Sequence, residues 1–418
     1  MSRTAPGPAD RDGTAREPRA AASRPGGGLR GWRDGLRTGA PEAWPAHAVV
    51  LAVTATLLLA VGLVMTFSAS FVEAAREGSP TAIAQRQLVW AGLGVPVALL
   101  LARTNPHALR RLAWPALVIT VLLCTVVLVP GIGVEAHGAR RWLSVGPVGL
   151  QPSELAKLAV PLLVAHAVAL RWAKVRRGDL HALLLPGLWV IALLTALVLA
   201  GPDLEMGLLV AAGGAIVLLV AGLPGRLIGA GIGVAVMLAG ALIVARPFRM
   251  MRLTAWLDPA AHAGDVGYQS QQGFIALASG GLTGRGLGQG RGQWLYVPNA
   301  HTDFIYAIIG EELGLLGALA VLLGFAALVV AGVIAARRAA TPFERLLAAS
   351  LTGWLSLQAL MNMGSVVGLL PVTGVTLPLI SFGGTSLLVT LAAVGVLVAI
   401  ARRARPAPSQ PPSAQEAT

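Results

Sequence analysis

Residues 293–317 read QWLYVPNAHTDFIYAIIGEELGLLG, and this stretch ties the fold of the chain to its chemistry. His301, Asp303, Glu311 and Glu312 crowd the start of an apolar run that continues through residues 313–335. Those 23 residues are enough to cross a bilayer as a helix, because each adds about 1.5 Å and the hydrocarbon core is about 30 Å thick. Carboxylates at such a boundary are costly to keep ionised and mark function more often than not. The stretch therefore predicts a membrane helix whose outer mouth carries acids able to do chemistry.

The same pattern recurs outward in both directions. The 418 residues are 55% hydrophobic and only 12% charged, with a mean hydropathy of +0.72, which excludes an ordinary soluble domain. Apolar runs of membrane-spanning length fall at 47–69, 83–102, 112–130, 153–170, 182–200, 204–222, 227–245, 313–335, 346–368 and 376–400. The expected fold is an all-α polytopic membrane protein of about ten transmembrane helices. Only residues 201–203 separate the fifth and sixth runs, so eight or nine spans remain open if one pair is re-entrant.

Charge orients this arrangement. With the N-terminus inside, the cytoplasmic side collects 22 of the 32 Lys and Arg residues and the outside collects 9, the asymmetry of the positive-inside rule. Both termini are then cytoplasmic, and one long extracytoplasmic loop, 246–302, joins helices 7 and 8. The net charge of +13 reads as topology and contact with anionic membrane lipid. The arginines are scattered over short loops with no reader motif, which argues against nucleic acid. Residues 1–46 and 404–418 are polar and aperiodic and read as disordered cytoplasmic tails around a transmembrane domain, 47–403. The first apolar run reads as a retained signal-anchor. The apolar pieces 274–278 and 294–297 suggest that the long loop is ordered and lies on the membrane surface. Cys124, alone in an apolar run, is expected to be a buried small residue.

Several groups carry possible chemistry. Asp303 begins a helical pattern, so it either caps that helix or acts as a general base whose pKa is raised by partial desolvation. Glu311 and Glu312 are expected in the outer interface, solvated or paired. Glu154 and Lys157 lie three residues apart in QPSELAKLAV and share a helix face, where they can pair. Lys157 sits about 8 Å along that helix, from where it either snorkels to the surface or holds an anionic headgroup. Arg140, Arg141 and Trp142 add two cations and an interfacial aromatic, and the set suits a diphosphate. Asp203 reads as a turn or cap, and SFGGTS at 381–386 as close packing or a helix break. GRGLGQGRG (284–292) lacks the βαβ unit of a dinucleotide site. His301 reads as a hydrogen-bonding partner, and no His/Cys cluster offers a zinc site.

GARRW (138–142), QPSELAKL (151–158), PDL (202–204), SGGLTGRGLGQG (279–290), HTDFIYAIIGEELGLLG (301–317), NMG (362–364) and LLPVTGVTLPLISFGGTSLL (369–388) occur in this order. Together they resemble the SEDS family (shape, elongation, division and sporulation) over residues 47–402. The stretch before and through 301–312 is more similar to the division member than to the elongation member. The arginine-rich N-terminal tail resembles that of actinobacterial division proteins. The resemblance implies a ten-helix peptidoglycan glycosyltransferase that polymerises lipid II on the outer face of the cytoplasmic membrane, at the division septum. It implies a class B penicillin-binding protein and other divisome proteins as partners. Asp303 matches the family's essential acid, and Glu154 and Lys157 match its charged pair. Arg140, Arg141 and Trp142 match the loop before that pair, and His301 and Ser381 fall in matched motifs as further substrate contacts. An optional divalent cation, Mg or Mn, would sit near Asp303. Two positions depart from the family pattern: Glu205 and Met206 follow PDL, and Phe382 stands where tyrosine is commoner. A lipid II flippase, an elongation or sporulation paralogue, and a structural scaffold are the alternative readings.

Overall fold

The structure, a computed structural model, describes residues 44–404 apart from 77, 137–138, 146–147, 260, 263, 265, 293–296 and 299. Residues 1–43 and 405–418, the greater part of the expected tails 1–46 and 404–418, and most of the apolar piece 294–297 lie outside the described residues. Each of the ten expected runs contains a helix, although the last, 376–400, is helical only from Gly384. The first seven are α1 (Ala46–Arg76), α2 (Ala82–Arg103), α3 (Pro106–Val126), α4 (Pro152–Leu170), α5 (Leu180–Ala200), α6 (Leu204–Val220) and α7 (Gly225–Val244). Two shorter helices, α8 (Pro247–Leu257) and α9 (Val266–Ser279), occupy much of the long loop. The chain closes with α10 (Ile305–Arg338), α11 (Pro342–Val366) and α12 (Gly384–Arg402).

Among the described residues, eight of these helices are long and apolar enough to cross a membrane, and α6 is a shorter apolar helix. The remaining one, α11, is 25 residues long but carries Glu344, Gln358 and Asn362. All three are buried, so its polar groups face protein and not lipid. Helix starts follow local chemistry. Asp179 accepts from the amides of His181 and Ala182, and Asp203 from Met206, while Thr341 and Glu344 form a reciprocal capping box.

The expectation of helices alone needs one correction. Residues in the 131–152 loop form an antiparallel meander, β1 (Gly133–Ala136), β2 (Ala139–Val145) and β3 (Val148–Leu150), in the order β1-β2-β3. Val134 faces Trp142 and Glu135 faces Arg140, with a register shift between them; Leu143 pairs with Leu150. Gly and Pro punctuate runs rich in Val, Trp and Leu here, a pattern that suits short strands.

The interior is one contiguous apolar cluster that includes Leu51, Met65, Leu163, Phe304, Trp354 and Leu397. Cys124 is buried as expected. Helix α12 packs along α2, and α10 packs on both α1 and α11. By contrast, α7 buries none of its residues.

Glu311 and Glu312 also need correction. Each is 1% exposed, so neither is a solvated interfacial acid. Glu311 accepts the amides of Arg291 and Gly292 at 2.7 and 2.9 Å, and Glu312 accepts Ser68 Oγ at 2.7 Å. The glycine-rich segment 279–292 thereby folds back onto α10, whose Glu311 and Glu312 carbonyls accept the amides of Arg285 and Gly286, each at 3.0 Å. Burying carboxylates among N–H donors offsets their desolvation and fixes the loop. At Gly314 the helix kinks, with φ at +70°.

Candidate active site

Asp303 lies just outside α10, in the turn formed by residues 301–304. The residue that caps α10 is Phe304, with no side-chain cap. The capping alternative for Asp303 is thus not what the structure shows, and its carboxylate is left for other work.

Three contacts clamp this turn through its backbone. Asn362 Nδ2 on α11 donates to the Asp303 carbonyl at 2.8 Å and to that of Val375 at 2.7 Å. Ser381 Oγ donates to the Thr302 carbonyl at 2.6 Å and accepts the Leu377 amide at 2.7 Å. The Phe382 amide donates to the His301 carbonyl at 2.9 Å. His301 Nδ1 lies 3.1 Å from Glu73 Oε2, and its ring packs on Phe382. Ser381, expected at the substrate, therefore spends its hydroxyl on holding the residue next to Asp303.

In front of the turn stands Gly374, with φ at +69°. A Cβ there would lie 3.7 Å from Asp303 Oδ2 and 3.9 Å from Arg252 Nη1, so carboxylate and guanidinium border the same space. Arg252 comes from α8, stacks over Phe248 at 4.6 Å, and sits 3.6 Å from Glu205 on α6. Arg141 from β2 lies 3.5 Å from Asp203 Oδ2. Asp203 is 2% exposed, accepts Gln151 Nε2 at 3.2 Å and caps α6. Arg140 pairs instead with Glu135 at 3.3 Å on the exposed hairpin.

Burial drives the Asp303 carboxyl up to about 6. Arg252, Arg141 and His301 pull in the opposite direction, and Glu205 adds to the rise. Desolvation outweighs the cations because taking a carboxylate from water is costly. The result is a group that is ionised at neutral pH yet able to accept a proton.

Glu154 and Lys157 do pair, at 2.6 Å, with both side chains almost wholly buried. The Lys157 ammonium also donates to Gln358 Oε1 at 2.9 Å and lies over the Trp354 ring at 5.2 Å. It does not snorkel to the surface. A direct substrate contact by Lys157 requires the Gln358 bond to open. Gln358 Nε2 in turn holds the Thr376 carbonyl at 2.9 Å, so the pair supports the segment that carries Gly374 and Val375.

A divalent cation beside Asp303 finds no matching donor set. Among the described residues, no group of three or more His, Cys, Asp or Glu is placed to hold a metal ion. Two of the charged neighbours of Asp303 are Arg252 and Arg141, which disfavour a further cation beside it.

Sequence reasoning missed Arg252, Asn362 and Gln358 as parts of this site. NMG and the arginines of 246–252 were visible, but nothing local says that they meet residues 301–303. Replacing Asn362 by Leu keeps the number and branching of side-chain heavy atoms and leaves two carbonyls unpaired, at about 1–3 kcal/mol for each buried orphan. The expected outcome is a kcat loss larger than the change in KM, since the misplaced atom is the Asp303 backbone and not a binding surface. Steady-state kinetics of the variant check it.

A model of the cell cycle protein family covering FtsW, RodA and SpoVE matches residues 48–406. The probable peptidoglycan glycosyltransferase FtsW of Mycobacterium tuberculosis is 42% identical over 386 residues, covering 91% of this chain and 72% of that protein. A solved peptidoglycan synthase complex, described as coordinating polymerization and crosslinking, matches with a TM-score of 0.69 at 29% identity. The match covers 86% of this chain and 98% of that one. The rod shape determining protein RodA of Thermus thermophilus matches with a TM-score of 0.60 at 27% identity, over 87% of this chain and 99% of RodA.

Proposed function

Because the chain belongs to the FtsW, RodA and SpoVE family of cell cycle proteins, we propose that it is a peptidoglycan glycosyltransferase that polymerises lipid II during cell division. The family relationship supports glycosyl transfer, and the FtsW-named relatives favour the division role. The observation that carries the mechanism is a carboxylate near neutral pKa, free of capping duty and bordered by arginines.

Asp303 accepts the proton of the 4-hydroxyl on the acceptor's N-acetylglucosamine. The freed oxygen attacks the anomeric carbon of the donor strand's terminal N-acetylmuramic acid. Its bond to the diphosphate breaks, undecaprenyl diphosphate leaves with the electron pair, and the anomeric carbon is inverted. Arg252 and Arg141 are the cations nearest the base and stabilise the charge growing on the diphosphate. Arg140 and Trp142 on the hairpin extend this cationic rim, and His301, held by Glu73, fixes the opposite side. Lys157 and Glu154 position the 372–376 segment through Gln358.

The reaction takes place on the outer face of the membrane, with both termini inside, at the septum. A class B penicillin-binding protein crosslinks the product. The synthase complex among the structural neighbours supports such a partner, and other divisome proteins complete the assembly.

Purified protein with its monofunctional class B partner should polymerise fluorescent lipid II, because that partner has no polymerase of its own. Since only the ionised base is active, the rate should rise with pH through about 6. It should fall about tenfold between pH 7 and pH 5. A flat profile over that range removes Asp303 as the base. Absent strands with active lipid II translocation in vesicles would favour the flippase.

A further inference from the structure

On the opposite side of the molecule from Asp303, a groove of about 390 Å³ opens between α6 and α10, with α11 as its floor. Ile216 and Val220 of α6 and Val333 of α10 give it apolar walls. Its volume falls in the range of about 300–1,000 Å³ typical of small-molecule sites.

The groove differs from an ordinary lipid-facing crevice in its charge. Arg337, in the last turn of α10, and Arg345, near the start of α11, both border it and are exposed. The nearest acid, Glu344, is already engaged, since its Oε2 accepts the amides of Ala340 and Thr341 at 3.2 Å each. No ion pair joins either guanidinium to an acid among the described residues. Deeper in, Thr352 is buried with its side chain packed against Gly332 of α10, which closes the floor of the groove.

We propose that this groove binds an anionic phospholipid of the inner leaflet. Its phosphate lies between Arg337 and Arg345, and one acyl chain lies along the apolar walls. Placement in the inner leaflet rests on the ten-helix topology with both termini inside. Basic pockets between transmembrane helices on the cytoplasmic side are suited to such headgroups. Glycerophospholipid fits better than a long polyprenyl phosphate, because the groove has room for part of one chain only.

Native mass spectrometry of the detergent-purified chain, titrated separately with phosphatidylglycerol and phosphatidylcholine, tests this. Wild type should hold phosphatidylglycerol about thirtyfold more tightly, equivalent to about 1 kcal/mol for each arginine. The double variant Arg337→Ala/Arg345→Ala should bind the two lipids equally. Ala349→Phe, which fills the groove, should weaken both and tests the site even if the double variant fails to fold. Equal binding of both lipids by wild type, or undiminished phosphatidylglycerol binding by Ala349→Phe, overturns the proposal. So does displacement of phosphatidylglycerol by a polyprenyl phosphate at tenfold lower concentration.

Discussion

Replacing Asp303 by Asn should lower the polymerisation rate by about 10²–10⁴-fold, the usual loss when a general base is removed, while the protein stays folded. The contacts explain why the two effects separate. Asn362 holds Asp303 by its backbone carbonyl, and the carboxylate caps no helix, so the amide inherits the same turn. Asn has nearly the same volume and meets the same wall at Gly374. What it lacks is a site for the proton of the attacking hydroxyl. Arg252 is relieved of a nearby anion, so the substrate diphosphate should bind as well as before or better, and KM should not rise. Asp303→Glu sharpens the test. It keeps the carboxylate but carries it one methylene further from the backbone that Asn362 holds. That variant should fall between wild type and Asn. Initial rates with fluorescent lipid II, at matched expression and matched partner complex, decide the matter. A near-normal Asn rate would remove Asp303 from the chemistry, and a loss of complex formation would make its role structural.

How much of this was legible in the sequence depends on the range of the interaction. Helix positions come from apolar run length, a local property, and each of the ten runs contains a helix. The Glu154–Lys157 pair was legible because a spacing of three places both on one face. The cap at Asp203 was legible for the same local reason. Where a group's fate depends on distant chain, the residues say less. Glu311 and Glu312 look like interfacial acids until the segment 279–292 folds over them. Arg252 comes to border Asp303 only because α8 crosses back toward α6 and the 372–376 segment. The Gln358 that receives Lys157 is 201 residues away in sequence. Glu205 departs from the family pattern, yet its partner Arg252 supplies a reason for an acid there. The meander at 133–150 was missed because strands of three to seven residues give little periodicity to read.

The largest stability effect is expected at the Lys157–Glu154 pair. Both side chains are at most 1% exposed, so neither charge can return to water when its partner is removed. Lys157→Met should leave Glu154 buried and unpaired, at about 3–5 kcal/mol, visible as a lower thermal midpoint in detergent. Glu154→Leu should act similarly, because the remaining Gln358 and the Trp354 ring stabilise the ammonium only in part. The double variant Glu154→Leu/Lys157→Met removes both charges and both desolvation costs, and should recover most of the lost stability. Its activity should not recover with it. Gln358 would keep Trp354 Nε1 at its Oε1 and the Thr376 carbonyl at its Nε2. It would lose the ammonium that tethers α4 to this node, and the segment carrying Gly374 would be free to shift relative to Asp303. A double variant that regains both its midpoint and its polymerisation rate would confine the pair to packing. One that regains only the midpoint places it in the machinery that positions the base.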